Sequence, residues 1–401
     1  MSFAPHVEVT EPPKRFPPDD NVDGVRPSHH LNDSKTMFGN PWPSFRYIMA
    51  TSLRVVYVIQ FFLGVSARSP RIPNHIKSLI PTQIPTWGTQ RGKESSAKAT
   101  WLGQLCHDRH ACYFVELPTP PGALRGVRII FDPVFSKRCS PSRWFGPARF
   151  TDAPCKVEDV PAVDAIVLSH NHYDHTDVPT LRALLANPSS SAHIFVGLNN
   201  AAYLSSALGA PSSRIHELDW WDERLLRVAL PSNVGGPAVT AEVRLSCTPS
   251  QHVSGRTGLD RWHALWAAWV IDDLHSHKKV FFAGDTGYRT VHDGEDEDKV
   301  PVCPAFAQVG ERFGGVDVAL LPIGAYSPRA MWSNLHASPA DAVRMFKDVK
   351  AKKALAMHWG TWVLTLEPVL EPPELLKKEC EKADLGPGDF LVPALGETIS
   401  F

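Results

Sequence analysis

The stretch Ser169-His170-Asn171-His172-Tyr173-Asp174-His175 is the most informative part of this 401-residue sequence. It directly follows an apolar run that is typical of a buried strand. In an extended chain His170 and His172 point to the same side, so both imidazoles can reach one metal ion. Asp174 and His175 lie just beyond them and can reach a second ion. Imidazole plus carboxylate is the ligand chemistry of Zn²⁺, with Fe and Mn as open alternatives.

Three other strand ends offer further ligands. His252 follows a Thr-Pro-Ser-Gln run, Asp285 lies in Ala-Gly-Asp-Thr-Gly, and His358 lies in Met-His-Trp-Gly. Each of them comes after a short apolar run of strand length. The small neighbours of Asp285 let the backbone turn tightly around a metal ion. Because one segment cannot complete two metal sites, we expect these strands to end at one edge of the fold and to complete the sites there.

The chain from residue 100 onward has the pattern of an α/β domain. Short apolar runs of strand length recur, and helical patterns lie between some of them. Ser338 precedes one helical pattern as its N-cap, with Asp341 in the first turn. Strands mixed with surface helices predict layered sheets that are covered by helices. The predicted strands are residues 127–131, 162–168, 243–247, 279–283, 316–321 and 354–357, and the predicted helices are residues 177–187, 199–209 and 338–350.

The N-terminal part has a different composition. Residues 1–44 are rich in Pro, Asp and Asn and lack apolar periodicity, which predicts a mostly disordered tail. Residues 45–99 combine an apolar segment, from Ile48 to Leu63, with a linker rich in Pro, Ser and Lys. That segment is shorter than the roughly 20 residues that cross a bilayer. Two interpretations stay open: a buried helix, or a helix that lies against a membrane surface.

Charge and cysteine usage narrow the function classes. The formal net charge is -1, which gives no global attraction to nucleic acid and disfavours a nuclease. The 7 cysteines are scattered without a CxxC pair, so we expect a reduced, intracellular chain without a disulfide framework. No apolar stretch follows Met1, so no standard secretory signal is expected. A mitochondrial address stays open, although the N-terminus is acidic for one.

The order of the ligand motifs resembles the metallo-β-lactamase superfamily. That resemblance implies an α/β fold, an αββα sandwich with a dinuclear metal site at the sheet edge, and makes residues 100–401 the hydrolase domain. Longer motifs resemble those of the N-acyl-phosphatidylethanolamine-hydrolysing phospholipases D, from about residue 38 to the C-terminus. These motifs include Asn40-Pro-Trp-Pro, Asp132-Pro-Val-Phe-Ser, Glu217-Leu-Asp-Trp-Trp, Thr248-Pro-Ser-Gln-His, Phe281-Phe-Ala-Gly-Asp-Thr-Gly-Tyr, Pro322-Ile-Gly-Ala-Tyr and His358-Trp-Gly-Thr.

The family resemblance implies both the ligands and the reaction. Two Zn²⁺ ions about 3.5–4 Å apart can share a hydroxide at neutral pH, which attacks phosphorus in line. The resemblance implies that Asp174 and Asp285 are the catalytic carboxylates and that the products are phosphatidic acid and an N-acylethanolamine. The resemblance implies a membrane phospholipid substrate, a membrane surface as partner, no nucleic acid, and a homodimer. By this resemblance one ion binds His170, His172 and His252, the other binds Asp174, His175 and His358, and Asp285 bridges them.

The resemblance also marks a substrate contact and three departures from the family. His336 matches a family histidine near the phosphate and could donate a hydrogen bond to a phosphoryl oxygen. Leu335 stands where the family often has Gln, and Gln104 stands where it usually has His. The acidic stretch 293–299 looks like an insertion and is predicted to be a solvated loop. None of the three is a predicted metal ligand, so they bear on substrate specificity.

Two other functions are weighed against the phospholipase. One is another hydrolase of the same superfamily, a lactonase or a nuclease-like phosphodiesterase. The other is a catalytically inactive membrane scaffold, which would be expected to lack metal ligands; none is missing. Trp220 and Trp221 are predicted to be core aromatics, and His275 and His277 are predicted to be loop histidines without a metal.

Overall fold

The computed structural model describes residues 6–16, 27–48, 76–80, 82–88, 96–102, 111–142, 144–148, 154–257, 259–360 and 364–401. The apolar segment from Ile48 to Leu63 lies outside this part of the chain, except for Ile48 itself, and Gln104 lies outside it as well. No helix among the described residues has the length and apolar character that a bilayer-crossing helix needs.

Two mixed β-sheets form the centre of the protein. Most of their strands are short. Five are buried at every position: Lys98–Trp101, Tyr113–Glu116, Ala165–Val167, Ala268–Asp273 and Val316–Pro322. The strands are β1 (Val7–Thr10), β2 (Lys98–Trp101), β3 (Tyr113–Glu116), β4 (Arg128–Phe131), β5 (Ala165–Val167), β6 (His193–Gly197), β7 (Ile215–Leu218), β8 (Glu223–Leu230), β9 (Val239–Thr248), β10 (Ala268–Asp273), β11 (Lys279–Phe282), β12 (Val316–Pro322), β13 (Ala351–Met357), β14 (Phe390–Leu391) and β15 (Thr398–Ser400).

The strand order brings the carboxyl ends of several strands to the same edge. One sheet has 8 strands in the order β1-β8-β9-β10-β11-β12-β13-β14, and the other has 7 in the order β15-β2-β3-β4-β5-β6-β7. Strands β11, β12 and β13 run parallel. Strand β9 points the same way, because β10 is antiparallel to both β9 and β11. The segments that follow β9, β11 and β13 therefore start at one edge of the eight-stranded sheet.

Helices cover the outer face of each sheet, which confirms the αββα architecture. Between the sheets, Phe131 and Phe282 pack with ring centroids 4.7 Å apart. Behind the seven-stranded sheet, Ile166 packs in a cluster with Leu181. Behind the other sheet, Phe281 meets a helical phenylalanine edge to face. The helices are α1 (Ile76–Leu79), α2 (Val178–Ala186), α3 (Ala201–Leu208), α4 (Ala305–Phe313), α5 (Arg329–Trp332), α6 (Pro339–Asp348) and α7 (Glu371–Lys382).

The three predicted helices are confirmed as α2, α3 and α6, with ends within about two residues. The predicted cap of α6 is confirmed too. The Ser338 hydroxyl accepts a hydrogen bond from the Asp341 N–H, and the Asp341 carboxylate accepts one from the Ser338 N–H in return. This reciprocal pair satisfies two of the N–H groups that a helix start leaves open.

In the N-terminal region, which is predicted to be a mostly disordered tail, the structure describes residues 6–16 and 27–44 and gives them defined contacts. Strand β1 pairs antiparallel with β8 at the end of the eight-stranded sheet. His30 and Phe38 are buried, and Trp42 stacks on Trp220 with ring centroids 5.5 Å apart. Pairing at a sheet edge uses backbone groups and isolated anchor residues. It therefore needs none of the apolar periodicity that the prediction relied on.

Candidate metal centre

The structure brings all seven predicted ligands together at the sheet edge, in two groups of donor atoms. In the first group, the Nε2 atom of His170 lies 2.8 Å from Nδ1 of His172. The Nε2 atom of His252 lies 3.4 Å from that same Nδ1. We call these three residues the histidine set. Because its donor atoms all lie within 4.8 Å of one another, one ion could contact all three.

The second group, which we call the mixed set, consists of Asp174, His175, Asp285 and His358. The Nε2 atom of His175 lies 3.7 Å from Oδ2 of Asp174 and 3.1 Å from Oδ2 of Asp285. The Nε2 atom of His358 lies 2.8 Å from Oδ1 of Asp285. These distances place two carboxylates and two imidazoles around one position.

Asp285 lies between the two sets. Its Oδ1 atom faces His358, whereas its Oδ2 atom lies 3.1 Å from His175 and 3.9 Å from Nε2 of His252 in the histidine set. The two oxygens of one buried carboxylate thus meet both sets. This is the placement that the sequence analysis expected for a bridging residue.

A glycine allows the close approach of the two segments that carry these ligands. Gly284 has a φ of 59°, in the left-handed region that other residues avoid. A Cβ atom added to it would lie 2.4 Å from the Cβ of Ser169, which directly precedes the first histidine motif. Any larger residue at position 284 would therefore push Asp285 away from the 169–175 segment.

The buried carboxylate of Asp132 orients ligands of both sets. Its Oδ2 atom accepts hydrogen bonds from Nδ1 of His175 at 2.6 Å and from the Ser169 hydroxyl at 2.5 Å. Since that hydroxyl donates to Asp132, it is free to accept from Nδ1 of His170, 2.9 Å away. Both histidines then turn Nε2 toward the centre, the arrangement that outer partners of metal-binding histidines provide.

Sequence reasoning quoted the Asp132 motif as a family mark but assigned it no role. The available signal was a polar residue directly after the strand run 127–131. His252 is oriented differently, because its Nδ1 donates to the backbone carbonyl of Leu335 at 3.0 Å. Leu335 is one of the departures from the family, but it contacts His252 only through its backbone carbonyl in this hydrogen bond. Any residue at position 335 would provide the same carbonyl.

Burial and charge give the two sets different protonation states. Burial lowers the pKa of His172 and holds the pKa values of His170 and His252 well below the usual range, so these imidazoles are neutral near pH 7. Burial also acts on the pKa of His175, but the carboxylates of Asp285, Asp174 and Asp132 outweigh it and raise that pKa well above its usual value. The mixed set of the metal-free protein therefore holds a proton.

The residues of the centre fit a divalent ion of the zinc class. Burial by itself would raise the pKa of Asp285, but His175 and His358 outweigh it and hold the pKa well below its usual value, so Asp285 is ionised. Its Oδ1 atom is buried and accepts no hydrogen bond from the described residues. An unsatisfied buried carboxylate oxygen is costly in water-poor surroundings, and a cation removes that cost.

His336 lies beside both sets. Its ring centroid is 5.3 Å from that of His252 and 5.4 Å from that of His358, and its Nδ1 lies 3.9 Å from Oδ2 of Asp285. Burial lowers the pKa of His336 to about 4, so its ring is neutral at pH 7 and carries one N–H. A neutral imidazole at this position can donate a hydrogen bond to a bound ligand.

A cavity of about 510 Å³ lies next to the 169–175 segment. Tyr173 lines it, and the Arg256 guanidinium lies 3.8 Å from the centroid of the Tyr173 ring. Shortly after Ser142, a residue of the cavity wall, Trp144 and Phe145 are 69% and 77% exposed. The cavity therefore combines positive charge with nearby exposed aromatic surface, and sequence reasoning assigned no role to this combination. The basic residues that line it are Lys137, Arg138, Arg182 and Arg256.

The acidic stretch 293–299 is a largely exposed loop, as predicted, and arginines also hold it to the protein. Glu295 accepts from Arg46 at 2.7 Å, and Glu297 accepts from Arg329 at 3.1 Å. Arg329 also donates to the backbone carbonyl of His336 at 3.4 Å. The stretch is therefore connected to the segment that carries His336, a link that opposite charges in the sequence do not reveal.

The remaining predicted residues fall outside the centre. Trp220 and Trp221 are each 3% exposed, which confirms them as core aromatics. His275 and His277 follow β10 and belong to none of the possible metal-holding groups among the described residues. The cysteines in the described part of the chain form no disulfide with one another.

The chain is similar to known proteins over most of its length. A family model described as "Beta-lactamase superfamily domain" matches residues 127–359. The N-acyl-phosphatidylethanolamine-hydrolyzing phospholipase D 1 of Caenorhabditis elegans is 33% identical over 76% of this chain and 76% of that protein. The mitochondrial N-acyl-phosphatidylethanolamine-hydrolyzing phospholipase D of Saccharomyces cerevisiae is 29% identical over 91% of this chain and 75% of that protein.

Similarity to solved structures is lower. The isothiocyanate hydrolase from Delia radicum gut bacteria is 21% identical, with a TM-score of 0.49 over 76% of this chain and 99% of that chain. The family match and the two relatives agree with the two mixed sheets and with the His/Asp groups at their edge. The protein is a hydrolase of the β-lactamase superfamily and belongs to the N-acyl-phosphatidylethanolamine-hydrolysing phospholipase D family.

Proposed function

We propose that the protein is a zinc-dependent phosphodiesterase that hydrolyses N-acyl-phosphatidylethanolamines to N-acylethanolamines and phosphatidic acid. The observation that carries the proposal is the pair of donor groups that share Asp285 at the sheet edge. The names of the two relatives supply the substrate class. Two zinc ions are proposed, one in each set, with Fe and Mn as alternatives.

The residues of the centre have different roles in the proposed in-line attack at phosphorus. When bound, zinc supplies Lewis-acid chemistry, which acidifies water and neutralises charge on phosphoryl oxygens. Asp285 holds the two sets in register. Asp174, whose side chain is 17% exposed, is accessible to substrate and water and can orient the attacking water. His336 can donate its N–H to a phosphoryl oxygen where negative charge develops.

The cavity beside the centre supports a phospholipid substrate. Tyr173 belongs both to the 169–175 segment and to the cavity wall, so a molecule bound in the cavity lies next to the predicted ligands. Four basic side chains in the wall favour an anionic phosphodiester. The exposed side chains of Trp144 and Phe145 suit the interface between water and lipid.

The membrane contact, the cellular location and the homodimer remain part of the proposal. The segment from Ile48 to Leu63 is proposed to contact the membrane surface. The yeast relative is described as mitochondrial, which supports a mitochondrial location for this chain. Deleting residues 48–63 should abolish pelleting with liposomes and cleavage of lipid in vesicles. Normal pelleting and cleavage after the deletion would refute the role of this segment.

Product analysis tests the reaction directly. The purified protein is incubated with mixed lipid vesicles, and mass spectrometry is used to measure phosphatidic acid and N-acylethanolamine. Both products should appear together, and Asp174→Asn should remove most of both. Equal amounts of phosphatidic acid from the variant would contradict the assignment of the site. A soluble lactone and single-stranded DNA, offered in parallel, test the two rival hydrolase activities.

A further inference from the structure

A further cluster of residue types that bind metals lies outside the metal centre described above. The Nε2 atom of His29 lies 2.7 Å from Oδ1 of Asp219, and the Nε2 atom of His30 lies 2.9 Å from Oδ2 of the same carboxylate. The donor atoms of the three residues all lie within 4.8 Å of one another. Two imidazoles from adjacent positions thus converge on one carboxylate that follows β7.

The cluster is enclosed by aromatic side chains. His29 and His30 are 1% and 2% exposed. The ring of Trp220 stacks on His29 with centroids 4.2 Å apart, and Phe38 meets His30 edge to face at 5.4 Å. The backbone N–H of Trp220 donates to Oδ1 of Asp219 at 2.9 Å and thereby orients the carboxylate. In protein metal sites the ligands are usually oriented by hydrogen bonds to outer partners and are shielded from water.

One nitrogen of the cluster lacks the partner that its burial demands. The Nε2 atom of His30 makes no hydrogen bond with the described residues, although it lies close to Asp219. Its contact distance is that of a hydrogen bond, but the geometry is not. Leaving a buried polar nitrogen without a partner is unfavourable. A cation placed among the three donors would use the lone pair of this nitrogen.

The donor spacing matches that of the catalytic centre. The nitrogen–oxygen contacts of the cluster, 2.7 and 2.9 Å, compare with the 2.8 Å between His358 Nε2 and Asp285 Oδ1.

We propose that His29, His30 and Asp219 bind a structural divalent ion of the zinc class, separate from the catalytic centre. Two imidazoles and one carboxylate suit Zn²⁺ and its first-row neighbours. The ion would attach residues 27–39 to the end of β7, two regions about 190 positions apart in the chain. Binding only to the folded state, it would stabilise that attachment.

Metal counting on the full-length protein tests the proposal. The protein is saturated with Zn²⁺, passed through gel filtration to remove loose ions, and analysed by mass spectrometry of the element. We expect three ions in the wild type and two in His30→Gln and in Asp219→Asn. The matched control, His193→Gln, changes a histidine that contacts His216 and belongs to none of the possible metal-holding groups among the described residues, so it should keep three ions. A third ion that persists in both cluster variants would overturn the site.

A second variant keeps the test decisive if the cluster variants fail to fold. In His170→Ala/His175→Ala each catalytic set loses a ligand, so only the proposed structural ion should remain, at one ion per chain. Zero ions in this folded double variant, together with two in the wild type, would show that the cluster is a metal-free hydrogen-bonded contact. Because no lipid is involved, this result is independent of the proposed phosphodiesterase activity.

Discussion

The two sets of the metal centre share one sheet edge but differ in charge. The histidine set contains only imidazoles that burial keeps neutral near pH 7. The mixed set contains two carboxylates, and these raise the pKa of His175 so that it holds a proton in the metal-free protein. An ion can thus enter the histidine set without displacing a proton, whereas the mixed set must release one first.

Changing Asp285 should have the largest effect, because this residue meets both sets. We expect Asp285→Asn to lower the rate of lipid cleavage by more than about a hundredfold, since losing only an outer partner of a ligand typically costs about 10- to 100-fold. Vesicle cleavage and metal content are measured together. The matched control is Asp293→Asn in the exposed acidic stretch, and loss of activity in both variants would refute the special role of Asp285.

Asp132→Asn and Ser169→Ala separate the two sets. Asp132 contacts His175 directly and His170 through Ser169. Among the predicted ligands, the Ser169 hydroxyl is hydrogen-bonded only to His170. Asp132→Asn should weaken the affinity for both ions by about 10- to 100-fold, and Ser169→Ala should weaken mainly the histidine set. Titration against a chelator gives both affinities. Equal weakening of both ions in Ser169→Ala would contradict this division.

The pH dependence of metal binding should distinguish the sets as well. The raised pKa of His175 means that the mixed set loses a proton when it binds an ion, so its affinity should rise about tenfold per pH unit while the pH stays below that pKa. The histidine set, with lowered pKa values, should show little change from pH 7 upward. Calorimetry in buffers of different ionisation enthalpy counts the released protons. Equal proton release at both sets would contradict the proposed difference in their protonation.

His336→Gln should have the smallest effect, because this residue belongs to none of the possible metal-holding groups among the described residues. Loss of one hydrogen bond to a phosphoryl oxygen is worth about 1 kcal/mol, or roughly a fivefold lower kcat. Metal content should stay unchanged, which separates this residue from the ligands. A large loss of bound metal in His336→Gln would instead make it part of the centre.

Much of the metal centre could be predicted from the sequence because its ligands belong to short motifs at strand ends. The strand runs 279–283 and 316–321 and the cap at Ser338 were read from local patterns, and the structure confirms them. The remaining ligands, His252, Asp285 and His358, are predicted from their order in the chain after the 169–175 segment. Such features are local, so a single sequence contains them.

The features that escaped prediction depend on contacts between distant parts of the chain. The hydrogen bond from Ser169 to Asp132 spans 37 positions, and the contact of Arg46 with Glu295 spans 249. Strand β1 is recognisable only by its partner β8. Each of these is an ordinary polar or short segment in the sequence, and only the topology gives it a partner.

Strand β1 also has a consequence for solubility. It pairs with residues 225–228 of β8, an eight-residue strand whose backbone edge would otherwise face solvent at these positions. An exposed edge of that length is a template for pairing with another molecule, and natural sheets protect such edges. Strand β1 thus occupies backbone groups of β8 that could otherwise pair with another molecule. A shortened protein that begins after Thr10 would have an intact metal centre and an exposed edge that promotes self-association.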